Sequence, residues 1–210
     1  MSNLSHGVIM KTLSRLDQQI NFLLEIDKLK SVVRKNLLVD RSREENTAEH
    51  SWHIAILSAV LEEYSNVSVN LQHVLLMLLV HDIIEIDAGD TYAYDTVGYE
   101  DKDERERQAA ERLFSLLPED QSEQFKTLWF EFEEMKTPES CFANAADRLM
   151  PLLHNYHSGG GIWQENNIYK SQILQRIAPI KDGSVALWEA ATHIVEKAVE
   201  DGYVINDDPS

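Results

Sequence analysis

Val80-His81-Asp82-Ile83-Ile84-Glu85 closes an apolar run that begins at Val74. Such a run predicts a buried helix, and a bare His-Asp pair is costly to bury unless something binds it. On a helix His81 and Asp82 diverge by about 100°, close enough for both to reach one cation. Glu85 lies three residues after Asp82 and four after His81, so all three share one side of the helix. An imidazole, a ligand carboxylate and a free carboxylate one turn away can together hold a metal and move a proton at its bound water. The alternative is a His-Asp pair satisfied by hydrogen bonds inside a core.

Other chemistry-bearing residues are spread along the chain. His50 falls in the first turn of a helix expected to start at Asn46 or Thr47, where a side chain can face a cleft. His53, one turn on, reads as a core residue or one that orients a ligand, and is a candidate pocket residue. Asp90 follows the motif helix, where a loop carboxylate could reach the same cleft; the alternative is a turn aspartate. Asp147 sits among small and apolar residues and needs a partner, either Arg148 or a metal. His154 lies seven residues on, on nearly the same face, and is a second candidate pocket residue. Residues 30–46 carry Lys30, Arg34, Lys35, Arg41 and Arg43. They read either as a solvated connection or as a phosphate-binding arm, because Arg presents a bidentate fork to phosphate oxygens.

The elements that must position these residues are helical. Few β-branched alternating runs, 8 Gly and 5 Pro point to an all-α fold. Helices are expected over about 10–29, 46–64, 70–87, 101–117, 120–135, 138–156, 167–178 and 182–201. Gly89 suits a helix C-terminal cap. Tyr92 to Tyr99 reads as a loop beside the site, a candidate lid. Gly159-Gly160-Gly161 reads as a helix-to-helix turn, with no Lys-Ser/Thr after it to make a P-loop.

Composition narrows the partners. Nineteen Lys+Arg against 36 Asp+Glu give a net charge of −17. That argues against nucleic acid and anionic membranes, which require a basic footprint, but leaves room for a small phosphorylated substrate. The single cysteine, Cys141, allows no internal disulfide and fits a reducing cytoplasm. No apolar run reaches the roughly 18 residues of a membrane span, and the first residues lack a signal-peptide pattern.

Four segments taken together resemble the HD-domain metal-dependent phosphohydrolases. They are Ala48-Glu49-His50-Ser51-Trp52, His81-Asp82-Ile83-Ile84-Glu85, Gly89-Asp90 and Ala145-Ala146-Asp147-Arg148. The resemblance covers about residues 20–160 and is strongest to the bacterial 5'-deoxynucleotidase-like branch, whose features include the Glu after His-Asp and the Gly-Asp beyond it. It implies one HD domain over 1–210, a helical bundle of about 7–9 helices with the helices of 167–201 packed on its core. It implies His50, His81, Asp82 and Asp147 as ligands of one divalent metal. Glu85 would orient and deprotonate the attacking water, Asp90 would contact the sugar or leaving oxygen, and Arg34 or Lys35 would bind phosphate. The branch carries an Arg-Trp pair upstream of the first metal His; here Val33-Arg34-Lys35-Asn36 has no Trp, so selectivity for deoxyribose does not follow.

The implied reaction is hydrolysis of a nucleoside 5'-monophosphate to nucleoside and phosphate by a cytoplasmic homodimer. The alternatives are a phosphodiesterase, a nucleoside-triphosphate hydrolase, or a non-catalytic nucleotide-binding metal protein. Two His and two carboxylates leave two octahedral positions for water or substrate. That set suits Mn, Fe, Co, Ni or Mg better than closed tetrahedral zinc, with Zn a further candidate.

Overall fold

A computed structural model describes residues 13–95, 98 and 100–208. Helices dominate it: α1 (Arg15–Glu25), α2 (Thr47–Leu61), α3 (Leu71–Val80), α4 (Glu85–Ala88), α5 (Lys102–Phe114), α6 (Glu119–Glu134), α7 (Pro138–His157), α8 (Gly161–Glu165), α9 (Lys170–Ile177), α10 (Ile180–Gly183) and α11 (Val185–Glu200). The all-α expectation holds, with one addition. Residues 30–46 hold a short antiparallel hairpin of β1 (Val33–Leu37) and β2 (Glu44–Asn46), with Val33 opposite Asn46 and Leu37 opposite Glu44. The turn between them uses Arg41 at φ 62°. Three residues of β2 are too few to show an alternating pattern in sequence.

The core forms where α2, α3 and α7 meet. Ile54, Val74, Met77, Leu78, Phe142, Ala143, Ala145 and Ala146 are buried there. The small residues of α7 let its neighbours approach closely, and Gly183 lies against the Cys141 carbonyl where α10 crosses α7. The periodicity at the N-terminus does mark a helix, yet Leu16, Ile20, Leu23 and Leu24 on α1 stay exposed while Phe22 is buried. That helix starts at Arg15 because Ser14 accepts from the Asp17 N–H and Asp17 accepts from the Ser14 N–H. The part of the expected helix before residue 13 lies outside the described residues.

The expected helix over 70–87 is interrupted. It runs as α helix to Val80, tightens to a 3-10 turn over His81–Ile84 and resumes for one turn from Glu85. Gly89, at φ 75°, ends it and donates its N–H to the Glu85 carbonyl.

Candidate metal centre

Two helix termini and one helix interior deliver the donors. Asn46 caps α2, accepting from the Glu49 N–H at 3.0 Å, while Glu49 accepts from the Asn46 N–H at 2.7 Å. This capping box starts the helix three residues before His50, whose imidazole is turned inward and fully buried. The 3-10 turn brings residues three apart into line. It therefore sets Asp82 and Glu85 on one side and sends His81 towards α2 and α7. Asp147 comes from the middle of α7, facing both histidines. Pro151 has no N–H to donate to the Asp147 carbonyl, yet α7 continues through it.

One ligand atom each from His50, His81 and Asp147 lies within 4.8 Å of the other two. His50 Nε2 is 3.0 Å from Asp147 Oδ1, and His81 Nε2 is 3.7 Å from the same oxygen. Asp82 joins through Oδ1, 3.0 Å from His81 Nε2, but the two are not aligned as a hydrogen bond. Nδ1 of His81 is 2.8 Å from the Leu78 carbonyl, an acceptor, so Nδ1 carries a proton. In the neutral ring Nε2 then presents a lone pair to two carboxylate oxygens. Such an arrangement needs positive charge at its centre. A divalent metal fits that need, and the residues present fit the metal.

The charges agree with this geometry. Burial opposes a charged His81, but Asp82 and Asp147 overcome it and raise its pKa well above the ordinary imidazole value. Burial would raise Asp147; bonds from His50 and His81 instead hold it well below the usual carboxylate range. Asp82 is lowered for a similar reason, against burial, by His81 and Arg34. Glu85 goes the other way: burial and the neighbouring Asp82 push it well up, with Arg34 opposing. Asp90 is also raised by burial, against the pull of Arg34.

Arg34 sits between these groups. Its Nη1 donates to Asp82 Oδ2 at 3.0 Å and lies 3.9 Å from Glu85 Oε1 and 3.7 Å from Asp90 Oδ1. Burial disfavours its charge, but Asp82, Glu85, Asp90 and Asp147 outweigh that and raise its pKa. Side chains alternate along β1, so Arg34 and Asn36 turn inward while Lys35 is exposed. Lys35 reaches only the rim of an adjoining cleft.

His53 and His154 stand apart from this group, beside Glu45. The helical face shared by Asp147 and His154 thus serves two places. Glu45 and Thr47 are missed in the sequence reading. Thr47 Oγ1 donates to Glu85 Oε2 at 2.9 Å and fixes that carboxylate. Glu45 Oε2 lies 3.3 Å from His50 Nδ1, on the ring's far side from Asp147. The only available signal for Glu45 was an acid one residue before the α2 cap.

Two connected clefts open on these residues. One is lined by His81, Asp82, Glu85, Asp90 and Asp147. The second shares Arg34, Asp90, Thr91, Arg148 and Arg176 with the first and adds Asn36, Tyr92, Tyr94, Asn155 and Trp163. The glycines at 159–161, all at positive φ, let α8 follow α7 after a turn of three residues and bring Trp163 into this cleft. Of the loop expected over 92–99, residues 96, 97 and 99 lie outside the described residues.

The HD-domain family profile matches residues 26–188. This chain belongs to the HD-domain family. The chain is 48% identical to a predicted metal-dependent phosphohydrolase from Magnetospirillum magnetotacticum, with a TM-score of 0.87 over 91% of this chain and 96% of that one. It is 28% identical over 135 residues to the human 5'-deoxynucleotidase HDDC2, covering 64% of this chain and 65% of that protein. It is also 28% identical over 135 residues to the 5'-deoxynucleotidase hdd1 of Schizosaccharomyces pombe, covering 62% of this chain and 67% of that protein. The match thus spans about 65% of the human relative's length. A Pyrococcus furiosus protein shares the fold at a TM-score of 0.61 and 20% identity.

Proposed function

We propose that this HD domain is a metal-dependent phosphohydrolase that releases phosphate from nucleoside 5'-monophosphates. The observation that carries the reading is the meeting of three groups in one cleft: the His50–His81–Asp147 cluster, the elevated Glu85 carboxyl and the Arg34 guanidinium. The similarity to the two 5'-deoxynucleotidases supports the substrate class.

His50, His81, Asp82 and Asp147 are the proposed ligands. A divalent ion held there would lower the pKa of a bound water and polarise a phosphoryl oxygen; Mn, Co, Ni, Fe, Mg and Zn are the candidates. Glu85, held by Thr47, takes the proton of the attacking water; its raised pKa makes it a stronger base than an ordinary carboxylate. Water oxygen bonds to phosphorus as the ester P–O bond breaks. Asp90 carries its proton to the departing 5' oxygen, a role its raised pKa suits. Arg34 exchanges its carboxylate partners for phosphate oxygens and offsets their charge. The adjoining cleft takes the nucleoside. Tyr92, Tyr94 and Trp163 offer apolar surface, and Asn36 Nδ2 and Asn155 Oδ1, without hydrogen-bond partners among the described residues, suit the base or sugar.

The chain is proposed to act as one domain and as a homodimer. Exposed Leu16, Ile20, Leu23 and Leu24 on α1, with Trp52, Ile56 and Val60 on α2, offer apolar surface for a second copy. A cytoplasmic location is proposed; Cys141 is free, and among the described residues no helix is long and apolar enough to cross a membrane.

The test is phosphate release from ribo- and deoxyribonucleoside 5'-monophosphates, 3'-monophosphates and triphosphates. Metal-stripped protein is supplied in turn with Mn, Co, Ni, Mg and Zn. Release from 5'-monophosphates, lost in His81→Ala, is the expected result. Release from none of them with any metal rules the assignment out.

A further inference from the structure

Glu45, His53 and His154 come from β2, α2 and α7, three elements that also surround the first cluster. One donor atom of each lies within 4.8 Å of the other two. Glu45 and His154 are buried and His53 is half-buried. His154 Nδ1 faces Glu45 Oε1 at 3.7 Å, too far for a hydrogen bond. His154 Nδ1 has no hydrogen-bond partner among the described residues, whereas the other Glu45 oxygen, Oε2, faces away, 3.3 Å from His50 Nδ1 and 3.8 Å from Arg34 Nε. The His53 and His154 rings are 5.5 Å apart, and Trp52 stacks on His53. A buried imidazole nitrogen is rarely left this way without an ion or water to satisfy it.

We infer that Glu45, His53 and His154 form a second divalent-cation site, of zinc-binding chemistry, separate from the His50–His81–Asp147 cluster. Two imidazoles and one carboxylate are a donor set that zinc accepts, with water in the fourth tetrahedral position. The first cluster, with its additional carboxylate, suits ions of higher coordination number. The two sites differ in chemistry and share one link. Glu45 presents Oε1 to His154 and Oε2 to His50 Nδ1. A cation at the second site pins the β2 carboxylate against α7 and so fixes the far side of the His50 ring. Partners of this kind orient a metal-ligating imidazole and set its basicity. The second site therefore clamps the hairpin that carries Arg34 to the helices that carry His50 and Asp147.

Zinc itself is the probe. Full-length chain is stripped with a chelator, equilibrated with Zn²⁺, freed of loose metal and assayed for zinc per chain by plasma mass spectrometry. The expected content is two equivalents in the wild type, one in His154→Gln, one in His81→Ala and none in the double variant. Circular dichroism checks that each variant is folded. A zinc-edge anomalous map of wild-type crystals tests the same point without any substitution. A peak about 2.0–2.2 Å from one atom each of Glu45, His53 and His154 is expected. No peak at this cluster, or a zinc content that His154→Gln leaves unchanged, overturns the proposal and leaves a hydrogen-bond network around His50. Phosphate release plays no part in these readouts, so the result is independent of the phosphohydrolase assignment.

Discussion

Arg34 Nη1 and Asp82 Oδ2 are 3.0 Å apart, and the same nitrogen lies within 3.9 Å of Glu85 and Asp90. Asp82 thus faces a cation on each side: Arg34 through Oδ2, and the His81 position through Oδ1. Arg34→Gln removes the proposed phosphate contact and leaves the donor cluster intact. We expect kcat/KM to fall about 10- to 100-fold, the range for losing a charge-assisted hydrogen bond. Divalent-ion affinity, read by isothermal titration, should hold or rise, because a competing positive charge is gone. A loss of metal binding instead would make Arg34 a structural support of the centre.

Glu85→Gln keeps the size of the side chain and removes its basicity. The expected fall in kcat is about 10²- to 10⁴-fold, the usual contribution of a general base, with metal content unchanged. The rising acid limb of the wild-type pH–rate profile should disappear as well, because Glu85 must be deprotonated to act. Retention of that limb in the variant would assign it to another group.

Thr47→Val deletes the hydroxyl that donates to Glu85 Oε2 and preserves the shape of the side chain. Removing one buried partner costs about 1–3 kcal/mol. Here the effect should appear in kcat as a loss of about 10-fold, with KM nearly constant, because Glu85 is mispositioned while the nucleotide contacts remain. Steady-state kinetics with a nucleoside 5'-monophosphate separates the two parameters.

Metal-free protein should grow less stable as pH rises above neutrality. Against burial, Asp82 and Asp147 hold the His81 pKa well above its ordinary value, so the folded chain binds this proton more tightly than the unfolded chain. That contribution is fully present below about pH 6.5 and is lost as pH climbs through the folded value. Glu85, raised by burial and by Asp82, acts in the same direction from about pH 4.3 upward. Asp147 and Asp82, held low, oppose this at the acid end: their contribution is present above about pH 4 and is lost as pH falls further. Melting curves of chelator-treated protein between about pH 6.5 and 9 should show the decline. Added Mn²⁺ should remove most of it, since a divalent ion supplies charge that the proton otherwise supplies. A melting temperature independent of pH without metal would place the His81 proton elsewhere.

The chain itself determined much of the centre. The sequence singled out His50, His81, Asp82 and Asp147 through their resemblance to the HD-domain pattern, and the structure brings one atom each of His50, His81 and Asp147 within 4.8 Å of the other two. Asn46 with Glu49, and Gly89, announced helix ends that the structure keeps. These signals are local, acting through hydrogen bonds within one turn, and so need no knowledge of the rest of the fold.

Tertiary structure decided the rest. Helical periodicity could mark α1, but it could not say which face the core would take, so Leu16, Ile20, Leu23 and Leu24 stayed exposed while Phe22 was buried. No local rule separates His154 from Asp147 on one helical face; Glu45 on β2 draws the first, and His50 and His81 draw the second. Arg34 gained its meaning only when the β1–β2 hairpin turned it inward and Lys35 outward. The tightening at His81, which aligns Asp82 with Glu85, is a backbone adjustment that sequence periodicity does not register. Local bonding specifies where elements begin and end, whereas long-range packing specifies which carboxylate meets which cation.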